Sequence, residues 1–285
     1  MPIDASTRRR RRGGCLVTIA LLVLGLVLGV WGIDRHLVPA LTPEMCTVEI
    51  GDQSTTLAPE QAENAATIAA VGVRRGLPQR AVTIALATAL QESKLRNLDH
   101  GDRDSLGLFQ QRPSQGWGTP AQLQDPVYAT EAFYDHLVRV RDYRDLPLTV
   151  VAQKVQRSGF PDAYARHEER ATLLSTAFTG REPAAVTCSL DDPEARSSTA
   201  DIRAALEAQL GVSLAASGDR VTGVVASPQL AWATASWAVA HADSTGITEV
   251  TVADRTWSRG QTARATRWVT GPDTGARSVT ISTTP

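Results

Sequence analysis

The chain has 285 residues, 42% of them hydrophobic and 21% charged, with a formal net charge of −1. That length accommodates more than one modest domain, and the near-neutral balance supplies no general attraction to nucleic acid or an anionic surface. No nucleic-acid partner is therefore expected. The charge is unevenly spread, however: Arg8–Arg12 are five consecutive arginines, and Gly13–Ile33 is a run of twenty-one uncharged residues. About 20 apolar residues cross a bilayer core, and basic flanks stay on the cytoplasmic side. Residues 1–12 thus read as a cytoplasmic tail, 13–33 as a single transmembrane anchor, and the chain beyond Asp34 as extracytoplasmic. A cleaved signal peptide is the rival reading. The apolar run is long for a signal core, and no small-x-small site follows it.

Residues 34–45 read as a tether with Pro39 and Pro43. Thr47–Ile50 and Ser54–Leu57, separated by Gly51-Asp52, predict a hairpin. A helix is expected from Pro59, a favoured first-turn residue, to Arg75, closed by Gly76. Leu77-Pro78 opens a second helix that runs uncharged from Ala81 to Gln91. Leu95–Gly118 is a polar, glycine-rich loop. Asp125-Pro126 starts a helix reaching Val140, and Thr149–Ser158 a shorter one. Gly159-Phe160-Pro161 makes a turn, after which Asp162 caps a helix ending at Gly180, with Tyr164 in its first turn. Residues 46–180 form one module on this reading, and 181–197, with Pro183 and Pro193, a linker. Residues 198–285 form a small second domain. Ser198 caps its helix, Val221–Ala226 is a strand, Ser227-Pro228 starts a helix to Gly246, and Ile247–Val252, Arg267–Thr270 and Ser278–Ser282 are further strands. The fold class is α+β. His241, the only histidine of that domain, reads as a packed core histidine.

The chemistry points to the end of the second helix. On a helix, Glu92 shares a face with Ile84, Ala85, Thr88 and Ala89. Desolvation at the end of an apolar face raises a carboxyl pKa, the state a general acid needs near neutral pH. A surface glutamate fraying off a helix end is the alternative. Asp102 and Asp104 are candidates for a second carboxylate that would activate water, or else turn and cap residues. His100 with those two aspartates matches no strong metal-ligand spacing, so no metal or other cofactor is expected. Trp117, in a glycine-rich loop, is the candidate groove wall. All four Tyr and all four Phe lie between Phe109 and Phe178, and most read as core. Cys46 and Cys188 flank the module in an oxidising compartment, where a disulfide between them is expected in preference to two free thiols.

Glu92-Ser93, then Gly107-Leu108-Phe109-Gln110 fifteen residues on, then Ala163-Tyr164, resembles the soluble lytic transglycosylase and goose-type lysozyme superfamily. More closely, it resembles actinobacterial membrane-anchored proteins that carry this module. The likeness covers roughly residues 59–180, with Phe109 where the family has Met and Ala165 where it has Asn. It implies a mainly helical, lysozyme-like module with Glu92 as the catalytic acid. Ser93, Gln110 and Tyr164, with Trp117, become candidate substrate contacts, Ser93 alternatively orienting Glu92 or capping its helix. Asp102-Arg103 is similar to an Asp-Arg that goose-type lysozymes carry before the same turn. The implied ligand is the glycan strand of peptidoglycan, and wall-synthesis or division proteins are implied partners.

Three activities stay open from sequence: a lytic transglycosylase that uses Glu92 alone, a muramidase that adds a second carboxylate, and a peptidoglycan-binding or scaffold protein that does not cut.

Overall fold

The computed structural model describes residues 43–156, 163–194, 196–262 and 265–283, with Val23 and Gly25. The basic tail, the anchor Gly13–Ile33 apart from those two residues, the tether up to residue 42, and the Gly159–Asp162 turn and cap lie outside the described residues. Among the described residues, no helix is long and apolar enough to cross a membrane. Glu44–Pro285 forms one compact unit of mixed α and β structure.

The unit begins with β1 (Met45–Ile50) and β2 (Gln53–Leu57), the expected hairpin around Gly51-Asp52. The segment read as a linker contains β3 (Val186–Ser189), which pairs antiparallel with β1 and completes a three-stranded sheet in the order β2-β1-β3. The linker reading is corrected there: alternating burial along Val186-Thr187-Cys188-Ser189 makes this segment part of the core. Cys46 and Cys188 stand opposite each other in that register and are joined in a disulfide.

The helices follow in order: α1 (Pro59–Arg74), α2 (Gln79–Glu92), the short α3 (Pro120–Leu123), α4 (Pro126–Leu137), α5 (Leu148–Gln156) and α6 (Glu168–Phe178). Asp125 caps α4 by accepting from the Val127 N–H. Tyr164 does not open the helix it was expected to open. It precedes a 3₁₀ turn, Ala165–His167, and α6 starts only at Glu168.

The C-terminal part contains α7 (Thr199–Leu210), capped by Ser198 as expected, then β4 (Ala215–Ser217) and β5 (Arg220–Val224). α8 (Pro228–Ala240), α9 (Ala242–Thr245), β6 (Glu249–Val252), β7 (Arg255–Ser258), β8 (Val269–Thr270) and β9 (Ser278–Ser282) follow. The strands form an antiparallel six-stranded sheet in the order β4-β5-β9-β6-β7-β8. Sequence patterning missed β4, whose residues are all exposed, and β7, whose Arg-Thr-Trp-Ser lacks an apolar run.

α1 is the central element. It packs against α2, α4 and α6 on the N-terminal side and against α7 and α8 on the C-terminal side. Ala62, Ala65, Ala66, Ala69 and Ala70 are all buried on it, and small side chains let that many neighbours approach. A polar cluster crosses the α1–α8 contact. The Thr67 hydroxyl donates to Gln209 (3.1 Å) and lies 3.3 Å from His241 Nε2, while Trp237 Nε1 donates to the same Gln209 oxygen at 2.8 Å. His241 Nδ1 lies 2.8 Å from the Trp237 carbonyl, and its ring stacks on the indole. Burial pushes its pKa down to about 4, partly opposed by that backbone bond. It is a packed, neutral histidine. Residues 198–283 therefore share one continuous core with the helical part.

Candidate active site

Glu92 is the last residue of α2, and the chain turns back sharply behind it. Lys94 and Leu95 both adopt left-handed backbone angles, φ 57° and 63°, uncommon outside glycine and asparagine. Two side chains of α1 hold this reversal. Gln61 Nε2 donates to the Lys94 carbonyl (2.7 Å), and the buried Asn64 donates to the Leu95 carbonyl (2.9 Å). Leu95 is fully buried, so an apolar anchor fixes the reversal. Neither Gln61 nor Asn64 stood out in the sequence.

The Gly-Leu-Phe-Gln segment closes a tight loop. Leu106 and Gln111 exchange both backbone hydrogen bonds at 3.0 Å. Gly107 has φ +74°, and a Cβ there would come within 2.2 Å of the Leu123 carbonyl oxygen. Only glycine fits. The Ser93 hydroxyl, itself buried, donates to the Leu108 carbonyl (2.7 Å) and to the Ala89 carbonyl (3.1 Å). The fifteen-residue spacing thus has a physical counterpart: Ser93 ties the end of the acid's helix to this loop. Its hydroxyl is used inside the protein, at the end of the helix, as the capping alternative expected.

The carboxylate of Glu92 has two polar neighbours. The Tyr164 hydroxyl donates to Oε1 at 2.5 Å. Gln156, at the end of α5, lies near the Glu92 side chain and donates from Nε2 to the Phe109 carbonyl at 2.6 Å. Burial raises the Glu92 pKa above the ordinary carboxylate value, while Tyr164 and Gln156 pull against that rise. Glu92 is half-buried, not fraying into solvent. Tyr164 is fully buried, and its hydroxyl is bonded to the acid. The turn that carries it is docked by neighbours: Arg166 donates to Gln91 Oε1 at 2.8 Å, and His167 Nε2 lies 3.0 Å from the same oxygen. Gln156 was missed because nothing in Gln153-Lys154-Val155-Gln156 marks one amide as special.

The remaining candidates lie elsewhere. Asp104 Oδ1 accepts from Arg112 Nε (2.7 Å) and from the Ser114 hydroxyl (3.1 Å), and Oδ2 accepts from the Ser114 N–H (2.8 Å). These bonds hold its pKa far below the ordinary carboxylate range, the Ser114 N–H contributing most and Arg112 next. Asp104 is a loop staple and a very weak base. Asp102 is exposed, and its carbonyl closes a turn with the Ser105 N–H. Gln110 is half-buried with φ +48°, its amide donating back to the Gly107 and His100 carbonyls. Its hydrogen bonds shape the loop.

Trp117 is half-buried and packs on the His136 ring, with centroids 4.1 Å apart. Both line a cleft of about 590 Å³ with Gln115, Arg139, Lys154 and Gln156. Gln156 connects this cleft to Glu92, which is not itself a lining residue. No protein-family model matches the chain, and no curated protein matches it.

Proposed function

We propose that the protein is a glycosidase that cleaves the glycan strands of peptidoglycan, held at the outer face of the membrane by Gly13–Ile33. The observation that carries this reading is the environment of Glu92. It is a single carboxyl with its pKa raised by burial, held by Tyr164, with Gln156 between it and a cleft lined by a tryptophan. A raised pKa keeps the proton available for general acid catalysis near neutral pH.

Glu92 protonates the oxygen linking N-acetylmuramic acid to N-acetylglucosamine as the C1–O bond breaks. The substrate's own acetamido group supports the cationic carbon. Glu92, now ionised, removes the proton of the C6 hydroxyl, which closes on C1 and gives a 1,6-anhydro product. The proton balance closes on one carboxyl. Transglycosylase chemistry is favoured over hydrolysis because Asp104 spends its oxygens on Arg112 and Ser114. A carboxylate held so far down makes a poor base for water.

Detergent-solubilised full-length protein and a Glu92→Gln variant, incubated with cell-wall glycan and analysed by mass spectrometry, test this. Anhydro-products from the parent alone support the proposal. Products heavier by one water would instead assign a muramidase. Sedimentation of both proteins with the wall, with no cutting by either, would make this a binding protein.

A further inference from the structure

The cleft beside Gln156 has a one-signed wall. Arg139 follows α4 and Lys154 lies on α5, and both are exposed. Among the described residues, no carboxylate lines the cleft, and neither Arg139 nor Lys154 belongs to an ion pair. Two acids of α4 are used elsewhere: Asp135 and Glu131 bind Arg75. The cleft also has an aromatic lining. Trp117 packs at a tilt on the His136 ring, whose Nδ1 lies 2.9 Å from the Ala132 carbonyl one helical turn back. A cleft with two cations outside any ion pair and an aromatic lining suits a ligand that carries negative charge.

We propose that Arg139 and Lys154 form a carboxylate subsite, so that the protein selects acidic glycan over neutral glycan of the same length. This rests on the glycosidase reading given above. A muramyl sugar can present a carboxylate from two sources: its own lactyl group when free of peptide, or the acidic residues of an attached peptide. The chemistry at the subsite is the same. Long cationic side chains reach a carboxylate through water-exposed, salt-sensitive contacts.

The test is a binding titration of the full-length protein in detergent, with Glu92→Gln in the background to prevent turnover. Four probes are compared: N-acetylglucosamine oligomers, peptide-free wall oligomers, peptide-bearing wall oligomers, and an N-acetylated glutamyl peptide without sugar. The parent is expected to bind the acidic oligomers more tightly than the neutral ones. An Arg139→Gln/Lys154→Gln variant should lose about three- to tenfold on acidic oligomers, as two partly exposed ion pairs allow, and nothing on neutral ones. High salt should erase the difference. Loss on the peptide-bearing oligomers alone assigns the peptide as the source, loss on the peptide-free oligomers alone assigns the lactyl group, and loss on both shows that the subsite takes either carboxylate. Equal affinity of parent and variant for every probe overturns the subsite. If no glycan binds but the glutamyl peptide does, and the variant abolishes it, the subsite stands and the glycosidase reading falls. If neither glycan nor peptide binds, both fall.

Discussion

Removing one oxygen atom tests the account of Glu92. Tyr164→Phe deletes the hydroxyl that donates to Glu92 Oε1 at 2.5 Å and leaves the fully buried ring in place. The bond favours the ionised carboxylate, and a hydrogen bond to a charged partner is worth about 1.5–3 kcal/mol. With that support gone, burial acts with less opposition. The Glu92 pKa should rise further above the ordinary carboxylate value. Two readouts follow. A ¹³C NMR titration of the glutamate carboxyls reports the shift whether or not the protein is active. The alkaline limb of kcat/KM on wall glycan should move up by the same amount, because the acid stays protonated to higher pH. The linkage sign is fixed too. A carboxyl whose folded pKa lies above its unfolded value gives stability that is complete below the unfolded pKa and lost as pH rises through the folded one. The variant should therefore match the parent in acid and be less stable at neutral pH. An unmoved Glu92 titration in Tyr164→Phe would refute the claim that Tyr164 opposes desolvation at this carboxyl.

Other perturbations probe the scaffold. Ser93→Ala leaves the buried Leu108 carbonyl without its donor; a loss of about 1–3 kcal/mol in denaturant unfolding is expected, with activity lowered through misplacement of the loop. Cys188→Ser opens a cross-link spanning 142 residues; the chain-entropy model puts its worth near roughly 5 kcal/mol, read as a lower Tm that reducing agent reproduces in the parent and not in the variant. His241, with its pKa pushed down to about 4, makes the fold acid-sensitive: below the unfolded value of about 6.5 the unfolded chain takes a proton the folded one refuses. Stability should fall by up to about 3 kcal/mol between those two pH values, and His241→Gln should flatten that slope in a pH series of Tm.

What the sequence made legible follows from local physics. The hairpin at Gly51-Asp52, the Pro59 and Ser198 helix starts and the Asp125 cap are each decided by a few neighbouring residues. Glu92 was legible because an uncharged helix ending in one acid is itself a local pattern. The Cys46–Cys188 bond was legible from compartment and position, although its structural cause, the pairing of β1 with β3, lies 142 residues apart. The linker and the separate second domain were misread for the same reason. Nothing in Val186-Thr187-Cys188-Ser189 announces which strand it joins, and nothing in α1 announces helices on both sides.

The candidate substrate contacts show where residue type stops being informative. Ser93, Gln110 and Tyr164 became candidate ligand contacts through the resemblance of the motifs that carry them. Two of the three are buried, and the hydrogen bonds of all three go inward: Ser93 to the loop, Gln110 to its own turn, Tyr164 to the acid. The energetic reason is the acid itself. A half-buried carboxyl needs donors, and a loop with left-handed residues at Lys94, Leu95 and Gln110 needs partners for its carbonyls. The nearby polar side chains therefore hold Glu92 and its loop, and the proposed function assigns ligand recognition to the cleft lined by Trp117, Arg139 and Lys154. A division of this kind predicts different phenotypes on the two sides. Substitutions among Ser93, Gln156 and Tyr164 should change kcat and its pH dependence, whereas those at Trp117, Arg139 and Lys154 should act on KM.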